Sequence, residues 1–425
     1  MTLAATLWLA VAAQVAPPEA PPGATRFHGA LEVSVMSLGD LFLDVTPILG
    51  VDGGDDFAFE LGAALNLLVA PRDAATRQQE YGKVLRREDW SEPSDFGQIL
   101  RQLRIGSDAS RLQLRAGPLS QETLGWGHLV NRYDDRLNVN YHPSGTTLAA
   151  FLGPTRAEVL VSDLLGARLF AGQVALDLGR LFGATETWVD RLHLTGSLAY
   201  DAARAGGAAP KLGVAALDAD LALFRSSAVQ LFLEVGSGGR IDVSNASVSG
   251  AAGLAVDGHL PSGLLMSGKL ELRKQQGSFR FGMFGPGYEL ARFSDVGLAQ
   301  TPLAQAALPD GFSAYAEASL ALDGKGPDAS GLHASASAEH FSWGRTDLDA
   351  AVTLALGRLA RGTARLIAAD VGGASRLSAQ AELRWRLAAA FYALGYVGNA
   401  YFPQGDGSLA RDFFGGVGAA VDFER

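Results

Sequence analysis

The feature that most restricts what this chain can fold into is a period of two. In SGKLELRKQQGSFRFGMFG, residues 267–285, Leu270 and Leu272 alternate with Lys269, Glu271 and Arg273; past Gln275-Gln276-Gly277, Phe279, Phe281 and Met283 alternate with Ser278, Arg280 and Gly282. Successive strand side chains point to opposite faces, so the pattern describes a ribbon with one apolar and one charged side. A helix would spread the same charges around its surface. The Gln-Gln-Gly interruption predicts a tight turn, with residues 279–283 as the returning strand of a hairpin.

The pattern recurs along the chain. Leu31, Val33 and Val35 alternate with Glu32 and Ser34; Phe57, Phe59 and Leu61 with Glu60; Val229, Leu231, Leu233 and Val235 with Gln230 and Glu234; Leu348, Val352 and Leu354 with Asp347, Asp349 and Thr353. Turn-type clusters such as VDGGDD at 51–56 and GSDAS at 106–110 separate the runs. GSGGR at 236–240 reads as another turn and not a phosphate loop, because no helix pattern or Lys-Ser/Thr follows it. Together these runs give about twenty candidate strands at the spacing of a meander.

The N-terminus, MTLAATLWLAVAAQVAPPEAPPGATR, carries a short apolar core ending in small residues, followed by a Pro-rich stretch. This predicts a secretory signal peptide over 1–13, a spacer over 14–25, and a mature unit over 26–425. Beyond it no apolar run reaches the roughly 18–20 residues of a membrane helix. The 425 residues hold 52 Gly and no Cys, are 48% hydrophobic and carry a formal net charge of −10. That excludes a disordered or disulfide-stapled chain, and the lack of clustered Lys and Arg excludes a nucleic-acid partner.

Both a soluble all-β protein and a membrane barrel have one apolar and one polar face. The absence of any composition shift that would mark a domain boundary favours one closed barrel, which also removes edge strands and satisfies every backbone group in hydrocarbon. The expected fold is all-β: a transmembrane antiparallel meander barrel of about 16–22 strands. With the first strand starting in the periplasm, turns at 51–56, 106–110, 143–145, 236–239 and 275–277 fall on the periplasmic side, and long connections near 70–96, 118–135 and 285–311 fall outside. An even strand count requires a reversal near 387–390, inside AELRWRLAAAFYALGYVGNAYF at 381–402. There Leu383, Trp385 and Leu387 oppose Glu382, Arg384 and Arg386. An Arg facing mid-bilayer lipid costs about 2–4 kcal/mol, so the charged face must be the lumen.

The signal peptide, serial hairpins, Gly- and Ala-rich inner face, loop asymmetry and aromatic strand ends resemble Gram-negative outer-membrane β-barrels of the porin type. The resemblance covers residues 26–425 as architecture, without a motif for any one member. Such barrels usually finish on a terminal aromatic, whereas this chain ends AAVDFER, with Phe423 two residues short. The resemblance implies an outer-membrane location, lipid and small hydrophilic solutes as partners, and passive passage without a cofactor. A structural or surface-assembly barrel whose loops bind proteins is the alternative reading, and a membrane hydrolase the third.

Expected pore-lining residues are Arg111, Arg115, Lys269, Glu271, Arg273, Arg280, Asp347, Asp349, Glu382, Arg384 and Arg386. The segment 118–145 supplies Ser120, His128, Asp134, Asp135 and His142, the residue types of a hydrolase. Nothing in the spacing fixes their geometry, so the segment reads as a polar external loop and the chain as no enzyme. The remaining histidines, at 28, 193, 259, 333 and 340, are dispersed, and no metal site is expected. Residues 78–87 have the charge density of a short surface helix, whereas 285–311 is apolar enough, through Leu298, Leu303 and Leu308, to fold inward.

Overall fold

The computed structural model describes residues 25–54, 56–71, 84–107, 109–137, 141–185, 187–202, 211–243, 248–295, 301–323, 330–373, 375–403 and 408–424. The expected signal peptide and all but Thr25 of the spacer lie outside them, as does Leu298. Each strand pairs antiparallel with its neighbour in sequence, from Arg26–Leu38 onward, and the last strand, Leu409–Glu424, returns to pair with the first, Ser34 opposite Gly418. Phe57–Gly62 and Leu65–Ala70 both pair with Asp40–Asp52 and together form one wall position. The 21 strand segments therefore make a closed barrel of 20 strands.

Exposure is inverted relative to a soluble protein. On Leu264–Gln275 the outward Leu272 is 72% exposed, while its neighbour Arg273 is 1% exposed and is the largest fully buried side chain. Leu49, Leu217, Val397 and Val417 are likewise outward and exposed. An apolar outer band around a polar interior is the arrangement that hydrocarbon requires of a sheet.

The even count brings both chain ends to one end of the barrel, together with short reversals at 106–111, 153–154, 226–228, 260–263 and 357–359. The reversal at 387–390 is there as expected, closed by the Leu387 N–H donating to the Phe391 carbonyl at 2.8 Å. The connections 71–99, 118–144 and 276–310 all leave from the other end.

Four sequence expectations need correction. Residues 143–145 lie at the long-connection end, where they finish 118–144 and start Gly145–Leu152. Residues 236–239 are inside the strand Val229–Arg240; their glycines leave room for side chains from the interior instead of bending the chain. Residues 275–277 open the long 276–310 connection, and 279–283 is no strand: Leu264–Gln275 pairs instead with Gly311–Asp323. Finally, 118–144 is no external polar loop, since Leu119, Leu124, Leu129, Val130 and Tyr133 are all buried. Most of the 78–87 segment lies outside the described residues; from Val84 the chain runs extended, with Leu85 bridging Leu67, and a short 3-10 helix spans Arg87–Trp90.

Candidate functional site

The apolar interior is built by two of the long connections, 118–144 and 276–310. Phe279, Phe281 and Met283, which mimic a strand by alternation, join Leu129, Val130, Tyr133, Leu303 and Leu308 in one apolar cluster inside the barrel. The two connections pair with each other: Gly282 N–H donates to the His128 carbonyl at 2.9 Å, Phe284 N–H to Leu129 at 3.0 Å, and Asn131 N–H to Phe284 at 3.1 Å. These bonds satisfy backbone groups that burial would otherwise leave without partners. Gly282, at φ 65°, supplies the left-handed turn that lets the chain double back.

Polar side chains fix this plug to the wall. Tyr133 Oη donates to Glu289 at 2.6 Å and ties the two connections together, while Arg292 Nη2 donates to Asp201 of the wall at 2.7 Å. Arg132 Nε donates to Asp349 at 2.6 Å, and Asn131 Nδ2 to the Tyr315 hydroxyl at 2.7 Å. His128 touches two strands at once, Nδ1 at 2.6 Å from Asp218 and Nε2 at 2.7 Å from Glu271. The wall is shaped to receive it: a Cβ on Gly236 would lie 2.4 Å from the His128 ring, and one on Gly238 would lie 2.7 Å from Phe279. Glycine here provides space, not a turn.

The plug does not fill the barrel. Against the opposite wall lies a cavity of about 590 Å³ lined by Glu60, Arg101, Arg115, Glu122 and Arg136, and a second of about 640 Å³ lined by Glu32, Asp44, Arg361, Glu382 and Arg384. The two share Ala64, Arg101 and His142. A register shift between Glu60 and Leu61 leaves Arg101 as an extra residue and turns it inward, where its Nε donates to Glu60 at 2.8 Å. At the border Asp89 is held by Arg86, by Asn66 Nδ2 at 2.9 Å and by His142 at 3.4 Å. Burial pushes its carboxyl up, but these partners outweigh burial and hold it below the usual carboxylate range.

The sequence-predicted lining residues fall into distinct places. Lys269, Glu271 and Arg273 are buried beneath the plug, with Lys269 Nζ bonded to the Trp126 carbonyl and Arg273 Nη1 donating to Glu339 at 3.0 Å. Arg280 belongs to the plug itself and lies 3.6 Å from Asp347, which also accepts from Arg345; Asp349 is taken by Arg132. Arg115, Glu382 and Arg384 face the cavities, and Arg384 pairs with Asp422. Arg111 is exposed at the short-turn end, just ahead of Leu112–Gly117. Arg386 points to the same end and donates to the Ala388 and Ala389 carbonyls, so it secures a turn.

The hydrolase residues do not assemble. Ser120 Oγ is 3.4 Å from Asp134 and near Arg365, while His128 is engaged by Asp218 and Glu271 and His142 faces Asp89. No histidine stands ready to take the Ser120 proton among the contacts described.

These features define the class: a transmembrane β-barrel of the outer-membrane type, with an apolar outer band, an even strand count, and an interior partly filled by its own connections. No family model matches the chain, and no curated protein matches it. Among solved structures, it is similar to a BenF-like porin from Pseudomonas fluorescens Pf-5, at 9% identity and TM-score 0.34, covering 95% of this chain and 99% of that one. It is also similar to OccK11 (OpdR) from Pseudomonas aeruginosa, at 10% identity and TM-score 0.32 over 94% and 96%. A third is Wzi from Escherichia coli, described as a carbohydrate-binding β-barrel involved in group 1 capsule assembly, at 11% identity and TM-score 0.34 over 93% and 84%. Likeness at this level assigns no solute and no partner.

Proposed function

We propose that the protein is an outer-membrane channel through which small hydrophilic solutes pass by diffusion, along one side of a self-made plug. The observation that carries this reading is the pair of polar cavities that meet at Ala64, Arg101 and His142 and are walled by residues of both charge signs. Charged groups on a pore wall sort ions by their field, and mixed signs give weak selectivity. Arg101, Arg115 and Arg384 are among the cations, and Glu32, Glu60 and Glu382 among the anions, that set it.

The test is single-channel recording in planar bilayers with purified, heat-modifiable protein. Wild type is expected to conduct with little ion preference, and Arg101→Glu/Arg384→Glu to shift the reversal potential in a salt gradient towards cations. A folded barrel that stays silent, or a double variant with unchanged selectivity, would reject the passage and leave the scaffold reading in its place.

A further inference from the structure

A line of inward residues crosses the plugged wall in register. Asp220 stands opposite Glu234, Glu234 opposite Gly253, and Gly253 opposite Glu271. Because Gly253 has no side chain, the two glutamates on either side lean towards each other; a Cβ there would lie 2.7 Å from Glu271 Cγ. The plug delivers His128 to this gap. One ligand atom from each of His128, Glu234 and Glu271 lies within 4.8 Å of the others, and all three residues are buried, at 2%, 1% and 3% exposure.

Glu234 is the anomaly. Neither of its carboxylate oxygens receives a hydrogen bond, and its neighbour Glu271, when ionised, has no proton to give. A buried charge without a partner is costly, so something must neutralise it. The surrounding balance points the same way: Asp218, Glu234, Glu271 and Glu339 face two fixed cations, Lys269 and Arg273, so even with His128 protonated one negative charge is left uncompensated.

We propose that His128, Glu234 and Glu271 bind one divalent transition-metal cation, of the kind represented by Zn2+, and that the metal fastens the plug to the wall. With Nδ1–H donated to Asp218 at 2.6 Å, the usual outer support of a metal-bound histidine, Nε2 is the ligand atom, and the metal replaces the proton it shares with Glu271 at 2.7 Å. Arg273 occupies Glu271 Oε2, and Glu271 Oε1 faces His128 Nε2. Ligand atoms about 2.0–2.2 Å from a tetrahedral zinc stand roughly 3.4 Å apart, so the set reaches the metal by small rotations of the two glutamates, and water completes the shell. One imidazole and two carboxylates suit Zn2+, Co2+ or Mn2+ better than a thiophilic ion.

The experiment uses the full mature chain, stripped with EDTA and refolded in detergent with and without Zn2+, because the site lies beneath the plug. Bound metal is counted by mass spectrometry after desalting, and the temperature of heat modification is read on gels. Wild type is expected to retain one zinc per chain and to unfold at a higher temperature with it; Glu234→Gln, which keeps the shape and removes the charge, is expected to lose at least tenfold in affinity, while Glu382→Gln, in the cavity wall, retains the metal. Folded wild type that keeps no stoichiometric zinc, or Glu234→Gln that binds as wild type does, would overturn the site and leave protons as the neutralising charge. Conductance plays no part in this readout, so it stands or falls apart from the channel.

Discussion

Two walls of the same barrel treat the same alternation in opposite ways. On the plugged side, Leu212–Arg225 through Leu264–Gln275, the inward charges are sealed: the Asp218, Glu271 and Arg273 side chains are 3%, 0% and 1% exposed. On the side of the seam, Arg26–Leu38 and Arg376–Arg386, the equivalent Glu32 and Arg384 side chains are 23% and 31% exposed. The outward faces are alike. What separates the walls is what covers the inward face: folded connections with an apolar core in one case, a polar cavity in the other. Alternation specifies a barrel, whereas glycine placement and the composition of the connections decide which part of the barrel is filled.

The largest effect should come from abolishing the difference. Replacing 279–308 by a short Gly-Ser linker removes Phe279, Phe281, Met283 and Leu303 from the interior cluster and is expected to raise single-channel conductance several-fold. Unchanged conductance would mean that the plug is not what narrows the passage.

Next comes the stability of the two kinds of ion pair. Arg273→Ala removes the cation that Glu271 and Glu339 share in a sealed interior and should cost about 3–5 kcal/mol, read from urea unfolding in lipid vesicles. Arg384→Ala breaks pairs with Asp422 and Glu32 that are open to the cavity, and about 0–1 kcal/mol is expected. Equal losses would erase the distinction between the walls.

The smallest effect concerns glycines. A methyl group on Gly236 meets the His128 ring at 2.4 Å and backs onto Asp218, so Gly236→Ala should cost about 1–3 kcal/mol by overpacking. At Gly395, on the seam side, nothing lies within 4 Å, and Gly395→Ala should stay within about 0.5 kcal/mol of wild type.

Much of this was legible in the sequence, because a period of two has a strict geometric meaning. The faces of Lys269 to Arg273 and of Glu382 to Trp385, the reversal at 387–390 and the common end of the long connections all follow from it. The errors have two causes. Phe279, Phe281 and Met283 alternate with small or polar residues as a strand would, but their apolar side packs inside the barrel, where the neighbouring connection supplies the apolar surface that lipid supplies outside. The glycines at 236–239 carry a turn signal because glycine more often serves backbone freedom than space. The His128, Glu234 and Glu271 cluster had no local signal at all, since its members come from a connection and two strands separated by a third. Only the strand register, which sets Glu234 and Glu271 on either side of Gly253, brings them together.

The closing pair of strands has a kinetic meaning. The walls around the plug, from Leu192–Asp201 to Thr346–Leu356, are consecutive in sequence, so each hairpin there forms by short-range search. The seam instead unites His28 with Glu424, residues of the first and last strands. Loop-closure entropy grows only by about 0.6 kcal/mol for each doubling of length, so the seam is slow to find but not weak once made. It lies beside the cavity, and Leu409, at the start of the last strand, packs on the cluster that holds Leu137 and Leu290 of the plug. Zipping it shut therefore completes an apolar contact of the plug as well as the wall.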